Sequence, residues 1–205
     1  MAHTHHKPDG TFSGLVSGPE TPLLTTAEAK AHLRVGYSDD DALIDTYIQA
    51  ATDMVDAEWG ELGRALITQR WKMTLPSLGG SRIVLPVPPV QQVTHFQYYD
   101  ADNVQQDLDA NAYRLTVNGE EAYVDLVEGY SWPATYARAD AVQIQYDTGY
   151  GDAASDVPMG IRQAAKMLVA HYYMSRQAVT ERGGAEMPLG VRSILMKYRV
   201  VRGHI

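Results

Sequence analysis

The chain has 205 residues, a hydrophobic content of 45% and a formal net charge of −8. This length and composition allow a substantial core, in one domain or in two small ones. The chain has no cysteine, which excludes a disulfide framework, a thiolate metal site and a cysteine nucleophile.

The acidic balance also limits the classes of partner. A surface that binds nucleic acid tightly requires clustered Lys and Arg, and the negative net charge argues against one. The charge is compatible with a surface past which DNA slides without binding. No apolar run approaches the ~20 residues that span a bilayer, and no signal peptide is recognisable. The sequence therefore predicts a soluble protein that is made in the cytoplasm and has no contact with a membrane.

The first residues have the composition of a tail. Residues 1–22 are rich in Gly, Pro, Ser, Thr and His and show no hydrophobic periodicity, so we expect a flexible N-terminal arm. His3, His5 and His6 are weak evidence for a metal site, because spacing alone does not define a ligand set. A flexible tail is the simpler interpretation.

Two helices are predicted next. Thr25 and Glu28 have capping-box spacing, which predicts a short helix to about Arg34 that ends at Gly36. Ser38, followed by Asp39-Asp40-Asp41, indicates a second helix start with carboxylates at the positive end of the helix dipole. This explains the acidic triplet more simply than a metal site does. The second helix should continue to about Trp59 and stop at Gly60 or Gly63, and its outer face carries Asp45, Gln49, Asp53 and Asp56.

Alternating apolar and polar residues between 66 and 148 indicate strands. We predict about six of them, over 67–75, 81–85, 93–99, 113–117, 122–127 and 141–146. Asn118-Gly119 is a strong hairpin signal between two of these strands. We therefore predict an antiparallel β unit at 66–148, inserted into a helical domain formed by 23–65 and 149–198.

A long helix follows the β unit. Val157–Gln177 carries apolar residues at three- and four-residue spacing, with Asp156 as a predicted cap and Pro158 in the first turn. Its apolar face is too wide to be buried against one partner, so we expect it to be the central helix of the core. Pro188 opens a short last helix, and residues 199–205 form a basic and apolar tail. The predicted fold class is α+β, with about four helices in a small bundle and an inserted antiparallel β unit.

No motif in the sequence indicates catalysis. A phosphate-binding loop, a dinucleotide fingerprint, a zinc-protease helix and a nucleophile elbow are all missing from the sequence. Asp100 and Asp102 fit ordinary turn chemistry between two strands. We predict no catalytic residue, no metal and no cofactor, and we interpret the chain as a structural or binding protein, not an enzyme.

Several short motifs, in their order and spacing, resemble a known family. They are Leu24–Val35, Asp39–Ile44, Gly63–Gln69, Leu85–Val90, Ser131–Pro133, Gly149–Gly151 before Val157-Pro158, His171–Tyr173 and Pro188–Val191. Together they cover about residues 23–198 and resemble the head–tail connector (adaptor) family of tailed bacteriophages. The resemblance is to the branch with a β insertion, which also occurs in gene transfer agents.

The resemblance implies a structural virion protein at the head–tail interface. Such proteins form a ring, usually twelve-fold, beneath the portal and extend the DNA channel toward the stopper and tail. The implied partners are the portal protein, a stopper or other tail-proximal connector, and further copies of the chain. DNA is expected to pass through the channel without sequence-specific binding.

The resemblance also implies roles for two sets of residues. The C-terminal segment of such adaptors often docks on the portal, and here that segment contains Arg199, Val200, Val201, Arg202 and Ile205. A channel lined with carboxylates repels phosphate. The acidic helix face of Asp45, Asp53 and Asp56 is a candidate for this lining.

Two other classes remain open from the sequence. One is a virion module that binds a carbohydrate or a receptor through an aromatic platform on the β unit. Its candidate residues are Trp71, Tyr98, Tyr99, Tyr113, Tyr123, Trp132 and Tyr136. The other is a small hydrolase that uses scattered Asp and His side chains.

Overall fold

The computed structural model describes residues 4–6, 12–57, 60–175 and 187–200. The predicted α+β class is confirmed, since these residues form four α-helices and two antiparallel sheets. The chain divides into two compact units. The helical unit comprises residues 21–67 and 150–205, and the β unit comprises residues 1–20 and 68–149.

The helices are α1 (Thr26–Leu33), α2 (Asp41–Val55), α3 (Met159–Met174) and α4 (Leu189–Leu195). The capping box predicted for α1 is present: the Thr25 hydroxyl accepts from the Glu28 N–H, and the Glu28 carboxylate accepts from the Thr25 N–H at 3.1 Å. The helix ends before Gly36, because Arg34 takes the left-handed conformation (φ 59°) and its N–H bonds to carbonyls of the last turn.

The ends of α2 differ from the prediction. Its N-cap is Asp40 and not Ser38, and no side chain caps it. It ends at Val55 because Asp56 adopts an extended backbone (φ −87°, ψ 152°), so neither Gly60 nor Gly63 is needed to stop it. The prediction that α2 continues to about Trp59 is therefore wrong, because Val55 is the last residue of the helix.

The start of α3 also differs. Pro158 is its N-cap, and Asp156 instead closes a 3₁₀ turn (Ala154–Asp156) by accepting from the Ala153 N–H at 3.0 Å. Gly151 is required beside this turn, since a Cβ there would lie 2.3 Å from Asp156 Oδ2. The predicted end of α3 at Gln177 lies outside the described residues.

The core of the helical unit is centred on α3, as predicted. α3 packs against α1, α2 and α4. Its buried residues are Ile161, Ala164, Ala165, Leu168 and Val169. They meet buried apolar residues of α2 and α4, namely Ile44, Ile48, Ala51, Val55, Val191 and Leu195. This burial supplies the main stabilisation of the unit.

The β unit contains a six-stranded and a three-stranded sheet. The larger sheet has the order β1 (Thr4–His6), β2 (Phe12–Ser17), β3 (Gln69–Leu75), β9 (Val142–Thr148), β5 (Val90–Tyr99) and β6 (Gln105–Asp107). The smaller has the order β4 (Arg82–Leu85), β8 (Glu121–Leu126) and β7 (Tyr113–Asn118). The predicted hairpin at Asn118-Gly119 joins β7 to β8, with Gly119 at φ 63°.

Strand β2 corrects the prediction for the start of the chain. The sequence indicated no regular structure before Thr25, but Phe12–Ser17 pairs antiparallel with β3, with Leu15 opposite Trp71. This pairing satisfies the backbone groups along one edge of β3. Thr4–His6 pairs in turn with β2, so residues 4–6 and 12–17 form strands of the β unit where a flexible arm was predicted.

The core of the β unit lies around β3 and β9. Trp71 pairs with Tyr146 across these strands, and both side chains are buried. The Tyr146 hydroxyl donates to the Pro86 carbonyl at 3.0 Å, and the Trp71 indole donates to the Gln69 side chain at 3.0 Å. Each buried polar tip therefore has a partner, as burial of these side chains requires.

Candidate interaction surfaces

The acidic turn at residues 100–104 is structural. Asp100 Oδ1 accepts from the N–H groups of Asp102 and Val104 at 3.0 and 2.9 Å. The bond from Val104 is the main cause of the lowered pKa of Asp100. The interpretation of this motif as turn chemistry is confirmed. Within the described ranges, no group of three or more His, Asp or Glu side chains is arranged to hold a metal ion.

The charged side chains at the junction of α1 and α3 are paired with one another. Glu28 forms an ion pair with Arg162, and Lys166 Nζ lies 3.6 Å from the same carboxylate. The pKa of Glu28 is lowered, chiefly by the bond from the Thr25 N–H and further by the two cations. These charges hold helices together and are not available to a partner.

The outer face of α2 carries carboxylates without a basic partner. Asp45 accepts from the Thr26 hydroxyl at 2.5 Å, and Asp53 accepts from Gln49 Nε2 at 2.7 Å. Both are exposed, and neither forms an ion pair within the described part of the chain. They lie ~12 Å apart along the helix and roughly 80° apart around it. The structure thus leaves both carboxylates accessible on one side of α2.

Asp56 does not belong to this face. It lies beyond the last helical residue, is half-buried, and accepts from the Leu66 N–H at 2.8 Å. Its carboxylate therefore fixes the chain segment that returns after α2. The sequence placed Asp56 on the helix because the helix was expected to run on to Trp59.

The outer face of α4 was not identified from the sequence. Leu189 is 84% exposed and Met196 is 68% exposed, although both are large and apolar. They are seven residues apart, which places them within about 20° of each other around a helix. Arg192 and Ser193 are exposed between them. The seven-residue spacing of Leu189 and Met196 is the sequence signal that could have identified this face.

The candidate docking tail begins at a fixed point. The Val200 N–H donates to the Leu62 carbonyl at 2.9 Å, and the Val200 side chain is half-buried. The preceding Tyr198 packs on Gly160, where a Cβ would lie 2.6 Å from the tyrosine hydroxyl. Arg199 is exposed. The other predicted docking residues, Val201, Arg202 and Ile205, lie outside the described residues.

The aromatic residues proposed as a binding platform have other roles. Trp71 is only 2% exposed and belongs to the core. Tyr113 and Trp132 pack on Phe96, with ring centroids 5.1 and 5.9 Å from it. Arginines lie over two further rings, Arg138 over Tyr99 at 3.8 Å and Arg82 over Tyr123 at 5.1 Å. Trp71 is therefore excluded from an exposed platform, and four of the other six side chains contact Phe96 or an arginine.

The fold of this chain is a helical domain interrupted by an antiparallel β unit. Solved structures of proteins from particle necks have a similar fold. The chain is similar to a protein in the neck of an empty gene transfer agent particle computed with C6 symmetry. The identity is 27%, the TM-score is 0.74, and the match covers 93% of this chain and 96% of that one. A second match lies in the virion of a native gene transfer agent particle, with 28% identity, a TM-score of 0.74 and the same coverage.

A third match lies in the neck of a native particle computed with C12 symmetry. It has 26% identity and a TM-score of 0.66, and it covers 92% of this chain and 97% of that one. The chain belongs to the head completion protein family, which residues 22–201 match. The resemblance stated from the sequence is thereby confirmed. No curated protein sequence matches the chain significantly.

Proposed function

We propose that this protein is a structural head–tail connector of a virion, and that its copies form a ring beneath the portal. The observation that carries the proposal is the family match over residues 22–201, together with near-complete structural coverage of gene transfer agent neck proteins. One of those necks was computed with C12 symmetry, which supports a ring of twelve copies. The ring would extend the DNA channel toward the stopper and the tail.

The C-terminal tail is the proposed contact with the portal. Within this tail, the Val200 N–H donates to the Leu62 carbonyl at 2.9 Å. The basic Arg199 and Arg202 and the apolar Val201 and Ile205 give this tail both charge and anchoring groups.

The acidic balance supports passage of DNA through the ring. With a net charge of −8, the protein repels phosphate on average, so DNA would cross the channel without sequence-specific binding. Asp45 and Asp53 stay predictions for the channel lining, and both are exposed. Asp56 is not included, because its carboxylate is engaged by the Leu66 N–H. The proposal needs no catalytic step and no cofactor.

The test is complementation of particles that lack this protein. We expect DNA-filled heads without tails in its absence, because the connection below the portal is missing. The full chain should restore tailed particles, whereas a chain truncated after Val200 should not bind the portal. A chain lacking residues 1–11 is the matched control, since this deletion leaves the helical unit intact, and it should bind the portal.

Particle composition and electron microscopy of the necks measure these outcomes. If tails attach normally without the protein, the proposed connector function is wrong. If the chain truncated after Val200 still joins filled heads, the connector function stands but the docking role of the tail is wrong.

A further inference from the structure

We infer that neighbouring copies join head to tail, with the α4 outer face of one copy packed on the α2 outer face of the next. The α4 outer face comprises Leu189, Arg192, Ser193 and Met196. The α2 outer face comprises Ala42, Asp45, Thr46, Gln49, Ala50 and Asp53. This inference rests on the proposed ring and names the two surfaces that build it.

The apolar side chains of α4 indicate that this face is covered in the assembled protein. Leu189 and Met196 are more exposed than most large apolar side chains of the described residues, and they share one side of a short helix. Leaving such side chains in water forgoes the free energy that their burial would provide. Arg192 between them makes the face amphipathic, which is typical of the contact regions of protein interfaces.

The charges of the two faces are complementary. Arg192 on α4 and Lys197 just after the helix are exposed, and neither has a carboxylate partner in the part of the chain that the structure describes. Asp45 and Asp53 on α2 are likewise exposed and have no basic partner there. A copy that presents the basic face to the acidic face of its neighbour pairs both sets of charges. Such complementarity selects the orientation of the partners.

The shapes of the two faces also fit. Ala42, Thr46 and Ala50 are four residues apart and form a ridge of small side chains ~12 Å long on α2. Leu189 and Met196 lie ~10 Å apart along α4. Two large side chains at this spacing can pack along a low ridge of matching length, while the flanking carboxylates meet the basic side chains.

The two faces belong to helices that are separated within the unit. α2 and α4 each pack on α3, and they have at most marginal contact with each other in the described residues. Two different surfaces that recognise each other form a heterologous contact, and such contacts generate a ring when the rotation closes. An isologous contact, in which one face meets itself, would stop at a dimer. This arrangement competes with the channel-facing role predicted for Asp45 and Asp53.

The natural absence of cysteine makes a cross-linking test direct. Particles are produced with the Ala50→Cys/Met196→Cys chain in place of the natural one and treated with a short bis-maleimide. Both positions are exposed, so we expect normal folding. Denaturing electrophoresis should show a ladder of dimer, trimer and higher multiples of this chain. The single variants Ala50→Cys and Met196→Cys are the matched controls and should remain monomeric.

The possible results of the cross-linking experiment distinguish a failure of this inference from a failure of the proposed connector function. If the double variant and the natural chain are both missing from the particles, the connector function fails. If the double variant is present but gives no ladder, the inference is wrong and the connector function stands. Dimers from Met196→Cys alone would show an isologous contact, and a cross-link from Met196→Cys to a different neck protein would show another occupant. Either result overturns the inference.

Charge reversal provides the second test. Asp45→Arg/Asp53→Arg and Arg192→Glu/Lys197→Glu should each lose incorporation into particles, because like charges then face each other. Combining the four changes in one chain should restore incorporation. If Asp45→Arg/Asp53→Arg assembles normally and only DNA passage changes, the carboxylates face the channel and the inference is wrong.

Discussion

Glu28→Gln is the most informative single substitution in the helical unit. The amide keeps an oxygen for the Thr25 N–H of the capping box but removes the charge that faces Arg162 and Lys166. The Arg162 side chain is only 14% exposed, so its guanidinium has little access to water when the carboxylate is gone. We therefore expect the substitution to destabilise the packing of α1 on α3.

The magnitude follows from the burial of this pair. Removing one partner of a fully buried ion pair costs about 3–5 kcal/mol. Since Glu28 is 31% exposed, water screens the pair in part, and we expect a loss of about 2–3 kcal/mol for Glu28→Gln. For a chain of this size, that corresponds to a decrease in Tm of roughly 5–10 °C. Glu28→Ala also removes the capping acceptor and should cost about 1 kcal/mol more.

The pH dependence has a defined sign. The pKa of Glu28 is lowered in the folded protein from its ordinary value of 4.5. Its contribution to stability is therefore complete above pH 4.5 and is lost as the pH falls through the lower folded-state pKa. The difference in stability between the natural chain and Glu28→Gln should shrink over that acid range, while it should stay constant from pH 6 to 8.

Urea unfolding followed by circular dichroism at 222 nm measures these effects. The control is a double-mutant cycle with Arg162→Met, which fills the same space without a charge. In the Arg162→Met background, Glu28→Gln should lower the free energy of unfolding by less than it does in the natural chain, because only the longer contact to Lys166, at 3.6 Å, is then lost. If Glu28→Gln lowered the free energy of unfolding equally in the natural chain and in the Arg162→Met variant, the role assigned to the ion pair would be refuted.

Three further substitutions test local features by the same unfolding measurements. Tyr146→Phe should lower the free energy of unfolding by about 1 kcal/mol, because the buried hydrogen bond to the Pro86 carbonyl is lost. Unchanged stability would contradict the role of that hydrogen bond. Arg34→Gly should raise stability by about 0.5–1 kcal/mol, since glycine takes the left-handed cap without a Cβ penalty, and a decrease would contradict the cap. Gly160→Ala should lower the free energy of unfolding by about 1–3 kcal/mol, because the added methyl group collides with the Tyr198 hydroxyl. Adding Tyr198→Phe to this variant should recover part of the lost stability. No recovery would exclude the collision.

Local patterns in the sequence determined much of the fold. The capping box of Thr25 and Glu28 depends only on residues three apart, and the Asn118-Gly119 hairpin depends on a two-residue turn. The apolar spacing of α3 identified its buried residues and its central position. The order of short motifs identified the family. The cap and the turn are each encoded within a few residues, so neighbouring structure does not change them.

Other features were decided by contacts between distant residues. Phe12–Ser17 has a weak strand pattern and becomes a strand because β3 offers it an open edge. Asp56 leaves the α2 face because its carboxylate binds the Leu66 N–H, ten residues further on. Trp71 looked suitable for an aromatic platform, but its pairing with Tyr146 buries it in the core.

The candidate surfaces show the same division. The sequence by itself contained the acidic residues of α2 and the apolar and basic residues of α4 and the tail. Only the tertiary structure decided which sides of these helices α3 covers and which remain exposed, because the spacing of residues marks the apolar side of a helix but not the elements that cover it. Leu189 and Met196 are exposed for this reason: Val191 and Leu195, on the other side of the same short helix, fill the core instead.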